Sequence, residues 1–445
     1  MEAIIIKTAQ LLLSLSILVV IHEFGHYILA RTFKARVEKF YLFFNPWFSL
    51  FKIKKGETEY GVGWIPLGGY VKIAGMIDES MDKEAMKKPP QPWEFRSKPA
   101  WQRLLIMLGG IIMNFIFAFI IYIGVLYAWG ESYLPTKNAV YGIEVNEVGE
   151  KIGLKTGDKI LSVDHKYIES FDKVILAVVL DNAKTIQVER DGQEVDVEIS
   201  DADLALLLKN KEVINIRKPF NIKVGKVVKG FPAEQAGLQK NDEFVAVDGN
   251  HFDFYDQFSN YLKAHAGDRV KLEILRDGNT ITKEVAVSDE GKLGFNVVFT
   301  DLGMFKLETK RYGLLESIPA GIKRGIETTG NYLKQFKLLF RKDTKAYKSL
   351  GGFATIGNIF EPTWNWHHFW DITAFISIIL AIMNLLPIPA LDGGHVLFLI
   401  GEIVTGRKPG EKFLEYAQIT GMIILLALVL YANANDIINI INGTF

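Results

Sequence analysis

Ile21-His22-Glu23-Phe24-Gly25-His26 places two imidazoles and a carboxylate inside an apolar run, where ionisable groups are costly to keep. At helical spacing His22 and His26 are i and i+4, so both leave one face of a helix. Two nitrogens so placed suit one tetrahedral zinc, with Glu23 one residue along and able to take a proton from an attacking water. H-E-x-x-H alone is moderately specific, and its surroundings sharpen it. Between Ile4 and Ala30 the only charged or imidazole side chains are Lys7, His22, Glu23 and His26. Such a run is long enough to cross a bilayer, and an intramembrane ionisable cluster marks a functional site. A water-facing zinc site would sit on an amphipathic helix, not on one apolar all round.

The composition fits a mixed chain of about three domains. Hydrophobic residues make up 49% and charged residues 23%, too apolar for an ordinary soluble enzyme and too charged for a bare helical bundle. Lys plus Arg and Asp plus Glu number 51 each, so no whole-chain charge points to nucleic acid. The chain has no cysteine, which leaves His, Asp and Glu as metal ligands and excludes thiol nucleophiles and disulfides. Met1-Glu2-Ala3 brings no basic segment before the first apolar run, so that run is expected to be a retained span and not a cleaved signal.

Four spans are expected, near 4–30, 104–129, 371–388 and 417–433. The loop after the first is rich in basic residues, among them Arg31, Lys34, Arg36, Lys39, Lys52, Lys54 and Lys55, and Arg407, Lys408 and Lys412 follow the third span. The positive-inside rule puts both loops in the cytoplasm, with the termini and 131–370 outside. Residues 59–75, glycine-punctuated and locally alternating, are expected to form a β-hairpin. If it dips to membrane depth, it must line protein or a hydrated cavity. Gly109, Gly110 and Asn114 lie in the second span and are expected to serve helix packing.

The outward segment contains a weak internal repeat. Gly149 to Asp164 is echoed by Phe231 to Gly249, and each copy leads to strands broken by an Arg-Asp-Gly turn, at Arg190-Asp191-Gly192 and Arg276-Asp277-Gly278. The second copy resembles a PDZ domain of the permuted bacterial type. Two PDZ-like modules are therefore expected, at 136–210 and 211–302. Lys292-Leu293-Gly294-Phe295 resembles a loop that captures a peptide carboxylate, and such modules use β-strand addition of a peptide or simply shape access. From Tyr312 to Phe340 a helix is expected, within a linker over 303–370, lying along the membrane or packed on the spans. Trp364, Trp366, Phe369 and Trp370 suit an interfacial belt, and His367 and His368 belong to it.

Two histidines leave a catalytic zinc one protein ligand short. The candidate is Asp392, in Asn384-Leu385-Leu386-Pro387-Ile388-Pro389-Ala390-Leu391-Asp392-Gly393-Gly394-His395. Two prolines stop the helix and two glycines let the backbone turn around the carboxylate, as only a liganded or hydrated site at membrane depth would require.

H-E-x-x-H in a first span with N-x-x-P-x-P-x-L-D-G beyond a distant third span resembles the site-2 protease family of intramembrane metalloproteases. Tandem PDZ modules between the second and third of four spans are similar to its RseP branch in Gram-negative inner membranes. The resemblance implies a polytopic α-helical membrane protein with a membrane-associated β-hairpin and two periplasmic, β-rich α+β PDZ-like domains. Membrane parts would cover 1–135 and 371–445, with the active site toward the cytoplasmic side of a bacterial inner membrane. It implies His22, His26 and Asp392 as Zn2+ ligands and Glu23 as general base. Asn384 would contact substrate or the developing oxyanion, Pro387 and Pro389 would shape the loop, and Gly61, Gly63, Gly68 and Gly69 would belong to the hairpin that holds substrate. His395 is expected to act as a helix cap or a hydrogen-bond support. Implied partners are membrane lipid and single-span membrane proteins, of the anti-sigma-factor type or remnant signal peptides, with no nucleic acid; the oligomeric state is open. Two other readings, a non-catalytic PDZ scaffold and a proton-relay transporter, are disfavoured by the complete ligand set and by the absence of inverted repeats.

Overall fold

The computed structural model describes residues 2–76, 89–210, 213–300, 305–338 and 350–441. The described chain forms two units, one from 1–131 with 311–445 and one from 132–310. Residues 211–212 and 301–302 of the second expected module, and 339–340 of the expected helix, lie outside the described residues.

The first unit is built on four helices long and apolar enough to cross a membrane: Glu2–Thr32, Ala100–Ala128, Trp366–Leu385 and Lys412–Ile441. We call Glu2–Thr32 α1 and Ala100–Ala128 α2. Leu314–Leu338 is α3, Trp366–Leu385 α4, Asp392–Thr405 α5 and Glu411–Ile441 α6. The sequence places all four spans but not all their ends. α4 begins five residues before the expected 371 because the Asn365 side chain accepts from the His367 and His368 amides. It stops at Leu385, three residues early, because Pro387 has no N–H and holds Leu386 extended at ψ 142°. α6 runs past 433 through Asn433, Asn435 and Asp436. Their polarity is used: Asp436 accepts from the Ala354 and Thr355 amides, capping the short helix Phe353–Asn358.

α1 and α2 cross at glycines. A Cβ on Gly109 would lie 2.5 Å from the Gly25 carbonyl oxygen, and one on Gly25 would overlap the Gly109 carbonyl. Backbone therefore meets backbone beside the motif. α3 packs on α2 through Gly321 and Gly325, against Ile123 and Phe119, so the helix expected either on the membrane surface or on the spans does the latter.

Residues 59–75 do not form a hairpin. Strands β1 (Val37–Phe44), β2 (Phe51–Lys55), β3 (Thr58–Val62) and β4 (Ile65–Ile73) make one sheet in the order β2-β3-β1-β4. β3 runs parallel to β1, with Phe40 opposite Tyr60, and β4 runs antiparallel on its other side, with Phe40 opposite Val71. Gly63 and Trp64 carry the chain across the end of β1, donating to the Leu42 and Phe44 carbonyls at 2.8 and 3.1 Å. A side chain on Gly63 would overlap the Phe44 carbonyl. β1 takes the central place because its Val37 and Tyr41 are buried while both of its edges satisfy backbone groups.

The second unit bears out the internal repeat in its hydrogen bonds. Asp158 is gripped by the Arg190 guanidinium, which also donates to the Gly153 carbonyl. Asp242, Arg276 and Gly237 repeat that arrangement. Asp164 accepts from the Lys184 and Thr185 amides as Asp248 does from Lys271. Both Arg-Asp-Gly turns have two consecutive positive φ values, 51° and 78° at Asp191 and Gly192, 51° and 79° at Asp277 and Gly278. That is the I′ geometry that closes two-residue hairpins. The first lobe is built around a three-stranded sheet and the second around a five-stranded one, each with its own apolar core.

Candidate metal centre and active site

α1 presents His22 and His26 one turn apart, with the rings edge to face at 4.8 Å between centroids. Asp392, 366 residues further along, is brought against them by the broken segment between α4 and α5. The break is built from backbone contacts. The Ile388 amide donates to the Leu386 carbonyl at 2.7 Å, the Leu391 amide to Ile388 and the Gly394 amide to Leu391. Gly393 packs under the Leu385 and Leu386 carbonyls, and a Cβ on Gly394 would lie 2.6 Å from Pro389 Cα. Ala390 is held at φ 95°, a conformation that costs a non-glycine residue roughly 1–3 kcal/mol. That strain sits two residues from the carboxylate. Gly421 of α6 closes the loop from outside, so near Pro389 that a Cβ would overlap its carbonyl.

Three donor atoms converge. His22 Nε2 lies 3.1 Å from Asp392 Oδ2, His26 Nε2 lies 3.3 Å from it, and the two Nε2 atoms are 3.2 Å apart. Zinc bonds of about 2.0–2.1 Å in a regular tetrahedron set ligand atoms about 3.3 Å apart, so the triangle fits one face of that polyhedron. Two further observations test the fit. Asp392 Oδ2 is buried without a hydrogen-bond partner, as an atom reserved for a cation would be. His26 Nδ1 lies 2.8 Å from the Ile106 carbonyl, to which it can only donate, so the neutral ring leaves Nε2 as a lone pair aimed at the cluster. Among the described residues this is the one group of three or more His, Asp and Glu with ligand geometry.

The cluster opens on a cavity of about 490 Å³, lined also by Glu23, Asn384, Gly68, Gly69 and Tyr70. Glu23 lines it together with Val71 of β4. Among the described residues β4 pairs with β1 alone, and its Gly68, Gly69, Tyr70 and Val71 line this space. Of the sequence-predicted residues, His22, Glu23, His26, Asp392, Asn384, Gly68 and Gly69 meet at the cavity. Gly61 and Gly63 do not line it, because Gly61 packs under the Tyr41 ring and Gly63 under the end of β1. Pro387 and Pro389 shape the loop without lining the cavity, and His395 does line it. His367 stacks on Trp129 and His368 reaches the Ile359 carbonyl, so neither joins the metal cluster.

Sequence reasoning missed the Ile106 carbonyl and Gln418, a buried α6 side chain at the cavity wall. It assigned Asn114 to packing, yet the Asn114 Nδ2 lies 3.3 Å from His22 Nδ1. An amide inside a uniformly apolar span, four residues after Gly110, was the available signal.

Comparison with known proteins gives the same picture. The family model described as Peptidase family M50 matches residues 10–428. The chain is 27% identical to the regulator of sigma E protease of Haemophilus influenzae, over 96% of this chain and 98% of that one. It is 27% identical to protease RseP of Yersinia pestis, over 98% and 99%. A Neisseria meningitidis relative with the provisional name zinc metalloprotease is 26% identical over 95% and 96%.

Proposed function

Because the chain belongs to peptidase family M50 and is a zinc metalloprotease of the membrane, we propose that it hydrolyses peptide bonds within or near the transmembrane segments of single-span membrane proteins. The observation that carries this reading is the meeting of the His22, His26 and Asp392 donors, the Glu23 carboxylate and residues 68–71 of β4 at one cavity between apolar helices. His22, His26 and Asp392 hold the zinc, which when bound supplies Lewis acidity toward an amide carbonyl.

A transmembrane helix hides its peptide bonds in its own hydrogen bonds, so cutting one requires unwinding, and the freed N–H and C=O groups need partners that lipid does not supply. The outer edge of β4 supplies them by strand addition at Gly68 and Gly69, which keep the approach clear of side chains. Glu23 takes a proton from the attacking water as the oxygen bonds to the scissile carbon. It then delivers that proton to the departing nitrogen as the C–N bond breaks, leaving a carboxylic acid and an amine, between which the second water proton passes to give carboxylate and ammonium. The Asn384 side chain, on the same cavity, is placed to bind substrate backbone or the developing oxyanion.

Substrates are of the anti-sigma-factor type, with remnant signal peptides as a second class; the Haemophilus relative's name, regulator of sigma E protease, supports the first. The two β-rich lobes of the second unit, with their shared Asp–Arg clamp, act as tandem PDZ domains on the periplasmic side of the inner membrane and restrict which ectodomains are admitted. The basic first loop supports an active site toward the cytoplasmic side.

The test is Glu23→Gln in the purified full-length chain, reconstituted in liposomes with a single-span reporter substrate. Zinc content should stay at about one per chain while turnover falls at least 100-fold, within the range of a lost general base. Cleavage at the wild-type rate by the zinc-loaded variant would remove Glu23 from the mechanism.

A further inference from the structure

Resting on the metal-centre reading above, we infer that Asn114 is a positioning residue for the zinc site: its amide oxygen accepts from His22 Nδ1–H and fixes the ring state in which Nε2 binds metal. The starting point is a pair of unmet requirements that answer each other. Asn114 is fully buried, and its Oδ1 has no hydrogen-bond partner, which is costly in a helix core. Its Nδ2 instead faces His22 Nδ1 at 3.3 Å. An amide nitrogen can only donate, which asks Nδ1 to be a lone pair and moves the ring proton to Nε2, the ligand atom. With Nε2 given to a metal, the one proton of the neutral ring sits on Nδ1 and needs an acceptor. A half-turn of the Asn114 amide satisfies both groups at once, since it brings the orphan oxygen to His22 Nδ1.

The neighbouring ligand supplies an internal comparison. His26 Nδ1 already has an acceptor on the same helix, the Ile106 carbonyl at 2.8 Å. Positions 106, 110 and 114 recur every four residues and so lie along one face of α2. Position 110 is glycine, and a Cβ there would lie within 2.7 Å of both imidazoles. The face of α2 toward α1 thus reads acceptor, gap, acceptor against two rings one turn apart. Asn114 is also anchored beyond its side chain, because Ser377 of α4 donates to its backbone carbonyl at 2.8 Å and both residues are fully buried. Bare packing would have been met by leucine with no orphan oxygen.

The experiment uses the full-length chain in detergent and reads metal, not turnover. Zinc affinity is measured by chelator competition, and the site is also loaded with cobalt(II) to record its d–d absorption. Asn114→Leu should weaken zinc binding by about 10–100-fold, the range for loss of a ligand's supporting partner, and shift the cobalt bands. Asn114→Asp keeps an acceptor and has no N–H, so its affinity should lie closer to wild type than to the leucine variant. Wild-type affinity and cobalt bands in Asn114→Leu, or an aspartate variant as weak as the leucine one, would overturn the assignment. Should Asn114→Leu fail to fold, the zinc-loaded wild-type chain labelled with 15N-histidine still decides. His22 Nδ1 is expected to be protonated and hydrogen-bonded, and an unprotonated Nδ1 overturns the assignment. Failure of the underlying metal-centre reading looks different: the wild-type chain would then hold no zinc that His22→Ala abolishes.

Discussion

Gly110→Ala adds one methyl group at the point where α2 meets the two ligand rings. Built on the existing backbone, that carbon lies 2.5 Å from His22 Cε1, 2.6 Å from His26 Nε2 and 2.7 Å from His22 Nδ1. Comfortable separations are about 3.5–4.0 Å, so roughly 1 Å of movement is needed. The backbone has little room to provide it, because Gly25 and Gly109 already hold α1 and α2 at carbonyl contact one position away. The rings must therefore move, by several times the ~0.2 Å within which ligand distances have to stay. One of the crowded atoms is itself a ligand. The expected outcome is a loss of zinc affinity of at least about 100-fold, at or beyond the upper end of the range for disturbed ligand support, with turnover falling in parallel. The assay is chelator competition on the detergent-purified chain, with Gly124→Ala as a control. Gly124 lies on the same helix with open space around its Cβ position, so the same substitution should leave zinc binding unchanged. Wild-type zinc affinity in Gly110→Ala would refute the reasoning, and an equal loss in Gly124→Ala would show a general helix effect instead.

Two further outcomes are expected. Gly421→Val drives a branched side chain into the Pro389 carbonyl and displaces the loop that carries Asp392. It should lower zinc stoichiometry while α3, which lines no part of the cavity, is unaffected, and hydrogen exchange on α3 checks this. In the second unit, burial alone would raise the Asp242 carboxyl, but the Arg276 guanidinium and the Gln239 amide outweigh it and hold it below the usual carboxylate range. A carboxylate so depressed contributes stability above its unfolded pKa, about 3.9, and loses it as pH falls through the lower folded value. Arg276→Met leaves that carboxylate buried and unpaired, at a cost of about 3–5 kcal/mol near neutral pH. Urea unfolding followed by amide exchange within 220–300 measures it, and the deficit relative to wild type should narrow below about pH 4.

The parts of the site that the sequence makes legible are those where residue type conflicts with surroundings. His22, Glu23 and His26 stand out because charge in an apolar span is expensive, and Asp392 stands out because prolines and glycines break a span that would otherwise continue. The same conflict existed at Asn114. It was read as packing because a lone amide in a span also suits helix association, and only the 3.3 Å approach to His22 separates the two. Span ends moved for local reasons, the Asn365 cap and Pro387 in α4 and the use of Asp436 as a cap in α6. The repeat was visible in its turn residues, although Asp158 and Asp242 become recognisable as equivalent only when each is seen gripped by its arginine. β1 was missed altogether. Val37-Glu38-Lys39-Phe40-Tyr41-Leu42-Phe43-Phe44 is aromatic and β-prone, but its place between β3 and β4 is a non-local choice that no local pattern encodes.

That central position of β1 also sets a problem for biosynthesis. The strand is made before either neighbour: the chain must extend from Phe44 to Ile73 before β4 is complete. At about 5–20 residues per second those 29 residues take roughly 1.5–6 s, and through part of that time an aromatic strand has both hydrogen-bonding edges open. It is tethered by only four residues to α1, which ends at Thr32. The first span therefore delivers to the membrane both the metal motif and a strand awaiting its partners, and the nascent chain is most exposed to wrong pairing before β4 exists.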